Sequence, residues 1–439
     1  MLASHNAKKN LSGVVSGRRE IINHREDMLA NTRARMGEHY TTNQVLGRTQ
    51  TIGCVAVEVT QRCNLDCTLC YLSEHSQSVA DIPIEEVFKR LDDVLTHYGE
   101  GTHVQITGGD PTLRKHSELI EIVRYATQLG LYPALFTNGI AATRKLLSQL
   151  AEVGLQDVAF HVDTTQRRAG YDTEMDLNTI RKNYIARAQG LGLMVVFNTT
   201  VHEGNFHHIP HLVRFFIEQS AEIGLVSFQL QAETGRGEWG SRDVLITQKS
   251  MKKQIEAGTA RTLPWGVVDF GHPDCHSYMP TTVVNNKVFP VIGQRNLFGQ
   301  FLSTFEHIRA DRHVPVYQVM IDYGMTLLKQ PRTWWPALSY LAGQIKQMGK
   351  HLVLGRGQVH KLSFFMQNFM DANELAQERV HACSFMVMTA EGPVSMCEHN
   401  AKRDDFILTP FTVEKRDGTT EHYVPIPEMP KYKKASGEN

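Results

Sequence analysis

The chain has 439 residues, with 46 basic and 46 acidic side chains and a formal net charge of zero. That balance argues against a general nucleic-acid binder, which needs a surplus of Lys and Arg. Hydrophobic residues at 41% with charged residues at 21% exclude wholesale disorder, and seven cysteines are too few for a disulfide scaffold and leave at least one unpaired. The length predicts two or three domains, or one large α/β domain with additions.

Residues 1–50 are polar, with a helical pattern over Arg18–Arg35, and read as an N-terminal extension. The opening MLASHNAKKNLSGVV has no apolar stretch of signal-peptide length. No run of about 18 uncharged apolar residues occurs, so the expectation is a cytoplasmic protein with no transmembrane segment.

From 51 to 240 one pattern repeats. Apolar runs at Cys54–Thr60, His103–Thr107, Tyr132–Thr137, Asp157–Val162, Leu193–Thr200 and Leu225–Leu230 read as strands, their continuous hydrophobicity suiting a parallel sheet covered on both faces. Helical stripes lie between them. Ile84, Val87, Leu91, Val94 and Tyr98 form the first, with Pro83 near its first turn; Leu119, Ile122, Val123 and Ala126 form the second, with Ser117 as its expected cap and Gly130 at its end. Gly154 and Gly190 read as the ends of the next two. Strand–helix units of this spacing predict the α/β class, a parallel (β/α)6 partial barrel whose ligands collect at the carboxyl ends of the strands.

Directly after the first strand stands Cys63-Asn-Leu-Asp-Cys67-Thr-Leu-Cys70-Tyr71. Three thiolates on one loop can converge on a soft-metal centre, whereas a zinc site normally wants four N/S ligands. A zinc loop completed by a distant residue, or three core cysteines, are the alternatives. The CxxxCxxC loop followed by an aromatic residue resembles the radical SAM superfamily, over roughly residues 50–240. The resemblance implies that Cys63, Cys67 and Cys70 hold a [4Fe–4S] cluster whose fourth iron is chelated by the amino and carboxylate groups of S-adenosylmethionine (SAM). It implies further that an electron from a reductant such as flavodoxin or ferredoxin cleaves the sulfonium to a 5′-deoxyadenosyl radical.

Further motifs fall at successive strand ends. Thr107-Gly108-Gly109-Asp110-Pro111 resembles the family's GGE loop, with Asp110 in place of Glu; the resemblance assigns Gly108, Gly109 and Asp110 to the methionine moiety of SAM. Asn138, Asp163 and Asn198 end the third, fourth and fifth strands and suit its ribose and carboxylate, although each alone reads equally as a turn or cap residue. Tyr71 would touch the adenine through its backbone or ring. Gly235-Arg-Gly237-Glu-Trp-Gly240 matches GxGxxG but follows the sixth strand, so a glycine-rich loop with Arg236 aimed at a carboxylate or phosphate is preferred over a dinucleotide site.

After 240 the pattern changes. TTVVNNKVFPVI and CSFMVMTAEGPVSMC read as hairpins, the first turning at Asn285-Asn286. Between them a mainly helical cap is expected from about 295 to 380. Its stripes are Trp334, Leu338, Leu341, Ile345 and Met348, and then Leu362, Phe365, Met366, Phe369 and Met370. They read as helices packed over the barrel mouth, or as an apolar substrate tunnel or membrane-surface face. From Lys415 to 439 the tail is polar and expected to be mobile. Cys275, Cys383 and Cys397 have histidines close by, and HPDCHSY with NNKVFPVI resembles the branch containing tetraether lipid synthase and dihydropterin methyltransferase. That resemblance implies an auxiliary iron–sulfur cluster, of which this chain could support one at most; three buried free thiols are the alternative.

The expectation is therefore a radical SAM enzyme abstracting hydrogen from an unactivated carbon of a small-molecule or lipid substrate, leading to C–C bond formation or methylation, with peripheral membrane contact open. The alternatives are a SPASM-like enzyme modifying a peptide or small cofactor, and a zinc-stabilised binding protein.

Overall fold

The computed structural model describes residues 53–239, 242–268, 271–308, 314–415 and 417–427. The extension over 1–50, with its helix at Arg18–Arg35, lies outside the described residues, as does the tail beyond 427.

The apolar runs become β1 (Cys54–Thr60), β2 (His103–Gly108), β3 (Tyr132–Thr137), β4 (Asp157–His161), β5 (Met194–Val201) and β6 (Ile223–Leu230). Each pairs in parallel with the next. Helices α1 (Ile84–Tyr98), α2 (His116–Gln128), α3 (Arg144–Glu152), α4 (Asn178–Ala188) and α5 (Ile209–Glu218) return the chain between them. In α1, Val87, Leu91 and Val94 recur at helical spacing and are fully buried. Ser117 does not cap α2: the helix starts one residue earlier, at His116, so Ser117 already lies in its first turn.

Register separates two faces. Parallel partners share a face, and Val57, Ile106, Leu135, Val158 and Val195 follow one another across β1–β5, all buried beneath the helices. Phe160, Phe197, Val226 and Phe364 make the next row; truncating Phe160 or Phe197 to Ala there should cost on the order of 3–5 kcal/mol. The opposite face is polar towards the strand ends: His161 pairs with Asn198 and Asn198 with Ser227, while Thr200 pairs with Gln229 and Gln229 with Gln367. The strands therefore alternate near their carboxyl ends, where a continuous apolar run was expected, because one face covers the core and the other lines the interior.

The sheet continues beyond residue 240. After α6 (Gln248–Thr259) come β7 (His276–Met279), β8 (Thr281–Val284), β9 (Lys287–Pro290), α7 (Arg295–Thr304), α8 (Val316–Lys329), α9 (Trp334–Leu354), β10 (His360–Lys361), β11 (Ser363–Asn368), β12 (Phe385–Thr389) and β13 (Gly392–Ser395). The order β13-β12-β1-β2-β3-β4-β5-β6-β11-β7 has β12 parallel to β1 and β11 parallel to β6, with antiparallel strands at both edges. The two ends of this row approach each other: the Phe365 and Phe385 ring centroids lie 5.7 Å apart, and His276 packs against both rings. Aromatic side chains bridge the seam of the curled sheet.

The stripe Leu362–Met370 is not a helix face. Its centre is β11, held between β6 and β7; a short run buried on both sides carries no period that separates strand from helix. The β8–β9 turn has the expected geometry, with φ of 49° at Asn285 and 55° at Asn286, as an I′ turn requires. The tail is anchored beyond Lys415: β14 (Phe411–Glu414) pairs with β15 (Thr420–Tyr423), the Tyr423 hydroxyl donates to the Ala80 carbonyl at 2.7 Å, and the Ala80 N–H donates to the Pro425 carbonyl at 2.8 Å. Burial of Val413 and Tyr423 outweighs the polarity that suggested mobility. Among the described residues no helix is long and apolar enough to cross a membrane.

Candidate metal centre and cofactor site

The loop leaving β1 carries Cys63, Cys67 and Cys70 across the carboxyl ends of the other strands, and four of those ends hold it. At β2, Gly109 N–H donates to the Thr60 carbonyl and Asp110 N–H to the Arg62 carbonyl, both at 2.8 Å. At β3, Asn138 Nδ2 donates to Asn64 Oδ1 at 2.6 Å and lies 3.8 Å from Cys63 Sγ. Past β4, the Thr165 carbonyl accepts from Thr68 N–H at 3.0 Å. Past β6, Arg236 and Gly237 N–H donate to the Leu72 and Cys70 carbonyls, each at 3.1 Å.

The glycines follow from this close approach. A Cβ at Gly108 would stand 1.9 Å from the Thr60 carbonyl oxygen, and one at Gly109 2.1 Å from that of Arg62. Their Cα hydrogens face the cysteine loop, so the turn holds the loop first; any cofactor contact falls to its backbone. Gly235, at φ 56°, meets the Tyr71 carbonyl in the same manner.

Asp110 and Asp163 share one design. Both are completely buried and both cap a short 3-10 turn, Asp110 accepting from Thr112 N–H and hydroxyl and Asp163 from Thr165 N–H and hydroxyl. Each also reaches a neighbouring strand end. Asp110 accepts from the Thr137 hydroxyl and Asn138 N–H, both at 2.8 Å; Asp163 accepts from Thr200 N–H at 2.7 Å and faces His161 Nε2 at 2.6 Å. Burial opposes charge on Asp163, but His161 and these donors outweigh it and hold its carboxyl well below the usual carboxylate range. With four donors around each, both carboxylates stitch strand ends together.

Tyr71 is likewise engaged by the protein. Its hydroxyl donates to the Gly108 carbonyl at 2.7 Å and its ring lies 4.7 Å from the Arg403 guanidinium carbon. Arg236 bridges the cysteine loop, with Nη1 2.7 Å from Asp66 and Nη2 3.2 Å from Cys70 Sγ. Asn138 is buried beside Cys63. Asn198 has its Nδ2 3.2 Å from His161 Nδ1, while its Oδ1 is buried without a partner. An unpaired buried amide oxygen on the inner face of β5 suits a ligand donor.

Burial pushes the Cys63 and Cys67 thiols up, reinforced for Cys63 by Asp110 and Cys70 and for Cys67 by Cys70, Asp163 and Cys63. Cys63 and Cys67 therefore resist ionisation until a cation compensates them, and iron is such a cation. Among the described residues no three His, Cys, Asp or Glu side chains converge on a point that one metal ion could occupy. A cluster, whose thiolates bind separate irons, needs wider spacing.

Beneath the loop lies a group that spacing could not reveal. Glu58 is buried at the end of β1, with Arg403 donating to both its oxygens at 2.9 and 3.0 Å and His399 Nε2 3.9 Å away. Burial raises the Glu58 carboxyl, but Arg403 and His399 bring it down to about 2; burial and the arginines push His399 down to about 4. Arg403 thus ties the C-terminal segment to Tyr71 and the cysteine loop across 345 residues. His161, which joins Asn198 to Asp163, was also missed as a site residue; its place two residues before Asp163 was the available signal.

The second cysteines lie within one another's electrostatic reach across the seam. Arg379 Nε donates to Cys275 Sγ at 3.4 Å, Met370 N–H to Cys397 Sγ at 3.5 Å, and the Cys383 thiol to the Phe385 carbonyl at 3.0 Å. Burial raises Cys275, and burial with Cys383 and Cys275 nearby pushes Cys397 up to about 12.

Residues 57–216 match the family model of the radical SAM superfamily. This segment is a radical SAM domain. The cofactors of such a domain are a [4Fe–4S] cluster and SAM, and three thiols on one loop with the unpartnered Asn198 oxygen fit that pair. The chain is 32% identical over 176 residues to the PqqA peptide cyclase of Bradyrhizobium diazoefficiens, covering 38% of this chain and 44% of that protein. It is 28% identical over 236 residues to the PqqA peptide cyclase of Methylorubrum extorquens, covering 51% and 58%. The chain thus spans about half the length of the curated relatives it matches. Among solved structures, Streptococcus suis SuiB bound to precursor peptide SuiA matches at 16% identity and a TM-score of 0.35, covering 53% of this chain and 48% of that one. The tetraether lipid synthase branch, which the C-terminal segments resemble, finds no support in these relatives.

Proposed function

We propose that the protein is a radical SAM enzyme that abstracts hydrogen from a peptide. When bound, the cluster and SAM supply reductive sulfonium cleavage and a 5′-deoxyadenosyl radical, the electron coming from flavodoxin or ferredoxin. Cys63, Cys67 and Cys70 hold the cluster, Arg236 and Asn138 orient the thiols of Cys70 and Cys63, and the backbone at Gly108-Gly109 with Asn198 receives SAM.

One observation carries the peptide reading: the helix-free face of the sheet presents His161, Asn198, Gln229 and Gln367 near the strand ends. Gln229 Nε2 and Gln367 Oε1 pair with each other at 3.4 Å, and Asn198 Oδ1 has no partner; a peptide group can donate to such an amide oxygen, whereas a hydrocarbon chain would leave it unmet at roughly 1–3 kcal/mol. The relatives named PqqA peptide cyclase agree with it. The second reading, a lipid chain undergoing C–C bond formation or methylation, draws on the exposed apolar residues of α8 and α9. Cys275, Cys383 and Cys397 are proposed to hold one auxiliary cluster across the seam, where they would keep the barrel closed. An oxygen-sensitive centre and unpaired thiols suit the reducing cytoplasm.

Deuterium transfer tests the substrate class. The anaerobically reconstituted enzyme, given dithionite and SAM, is supplied with perdeuterated cell extract separated into peptides and lipids. Deuterium in 5′-deoxyadenosine from the peptide fraction is expected; transfer from the lipid fraction alone selects the second reading.

A further inference from the structure

Helix α9 is turned inside out. The Tyr340 hydroxyl and Gln344 Nε2 both donate to the Val291 carbonyl, at 2.8 and 3.2 Å, and Gln347 Oε1 accepts from Arg261 at 3.3 Å. The polar side therefore faces the protein. Trp334, Leu338, Leu341 and Ile345, one stripe at helical spacing, face solvent beside Trp335, which is 79% exposed. Not one residue of α9 is buried. The patch continues onto α8 through Met320, Ile321 and Leu328, and the Trp334 indole N–H ties the two helices by donating to the Leu327 carbonyl at 2.5 Å. Apolar exposure on this scale marks an interaction surface.

Charge selects the partner. Over residues 314–361 the basic residues are Lys329, Arg332, Lys346, Lys350, Arg356 and Lys361, all exposed, and the one acidic residue is Asp322. We propose that α8 and α9 form a docking surface for an anionic lipid bilayer, with the apolar stripe in the headgroup–acyl boundary and the basic residues on lipid phosphates. Two adjacent tryptophans at the turn between the helices suit that boundary, where an indole meets both hydrocarbon and water. A second copy of this chain is the rival occupant, but it would set like-charged rims against each other with one aspartate per copy to offset them. The surface requires neither cluster nor SAM, so the proposal stands apart from the substrate reading.

Vesicle co-sedimentation of the full chain tests it, using equal parts phosphatidylcholine and phosphatidylglycerol against phosphatidylcholine alone. Binding to the anionic vesicles that weakens with salt is expected. Lys346→Gln and Lys350→Gln should each weaken it roughly fivefold, and the double variant Leu338→Glu/Ile345→Glu by about tenfold or more. These side chains are exposed, and an unchanged unfolding temperature checks that the fold persists. Absence of vesicle binding, or binding that Leu338→Glu/Ile345→Glu leaves intact, overturns the proposal. So does a dimer seen by light scattering that this variant dissolves while vesicles stay unbound, which assigns the face to a second copy.

Discussion

Two sets of three thiols occupy this molecule, and they are built in opposite ways. Cys63, Cys67 and Cys70 share one loop, so their proximity is local and the remaining structure only holds the loop, through backbone bonds or side chains at the ends of β2, β3, β4 and β6. Cys275, Cys383 and Cys397 stand before β7, before β12 and in the short helix Met396–Ala401. They belong to opposite edges of a ten-stranded sheet and come within electrostatic reach because the sheet curls until Phe365, His276 and Phe385 touch. A local ligand set survives small errors elsewhere; one assembled across a seam depends on the whole barrel.

Replacing Cys63, Cys67 and Cys70 together with Ala should have the largest effect. About four irons per chain are lost, and 5′-deoxyadenosine release under dithionite falls below detection. Release that persists means the first set is not the centre.

Gly109→Val comes next. Its side chain would strike the Arg62 carbonyl, 2.1 Å from the Cβ position, and displace the cysteine loop itself. Iron content and SAM affinity should fall together, with turnover lowered about a hundredfold, as a misplacement of about 1 Å can do. Lost SAM binding with full iron would show that the turn contacts the cofactor alone.

Replacing Cys275, Cys383 and Cys397 with Ser should lower iron from about eight to about four per chain while SAM cleavage persists. An unchanged count of about four leaves them as buried free thiols and breaks the symmetry between the two sets.

The smallest effect concerns the support beneath the first set. His399 is neutral when folded, with its pKa pushed down to about 4, whereas the unfolded chain takes up that proton near 6.5. Folding stability should therefore fall as pH drops from about 6.5 to 4, by on the order of 3 kcal/mol. Glu58 behaves likewise lower down: its stabilisation is present above about 4.5 and is lost towards about 2. His399→Gln should flatten the upper limb in urea titrations at a series of pH values. A slope that survives the substitution assigns it to other groups.

The sequence alone determined whatever depends on neighbours along the chain. Cys63, Cys67 and Cys70 could be read as one centre because a loop this short cannot separate them. The six strands were legible from apolar runs of strand length, and the I′ turn from Asn285-Asn286, since few residues tolerate two consecutive positive φ angles. Asp110 and Asp163 could be placed after the second and fourth strands but their donors could not, because a carboxylate there looks the same whether its lone pairs are free or filled. Only the tertiary structure decided that. It also decided that Arg403 neutralises Glu58 from 345 residues away, that Leu362–Met370 centres on a strand between two others, and that α9 turns its apolar side outward. Each of these depends on which surfaces meet when the sheet curls, and spacing within a segment carries no record of what packs against it.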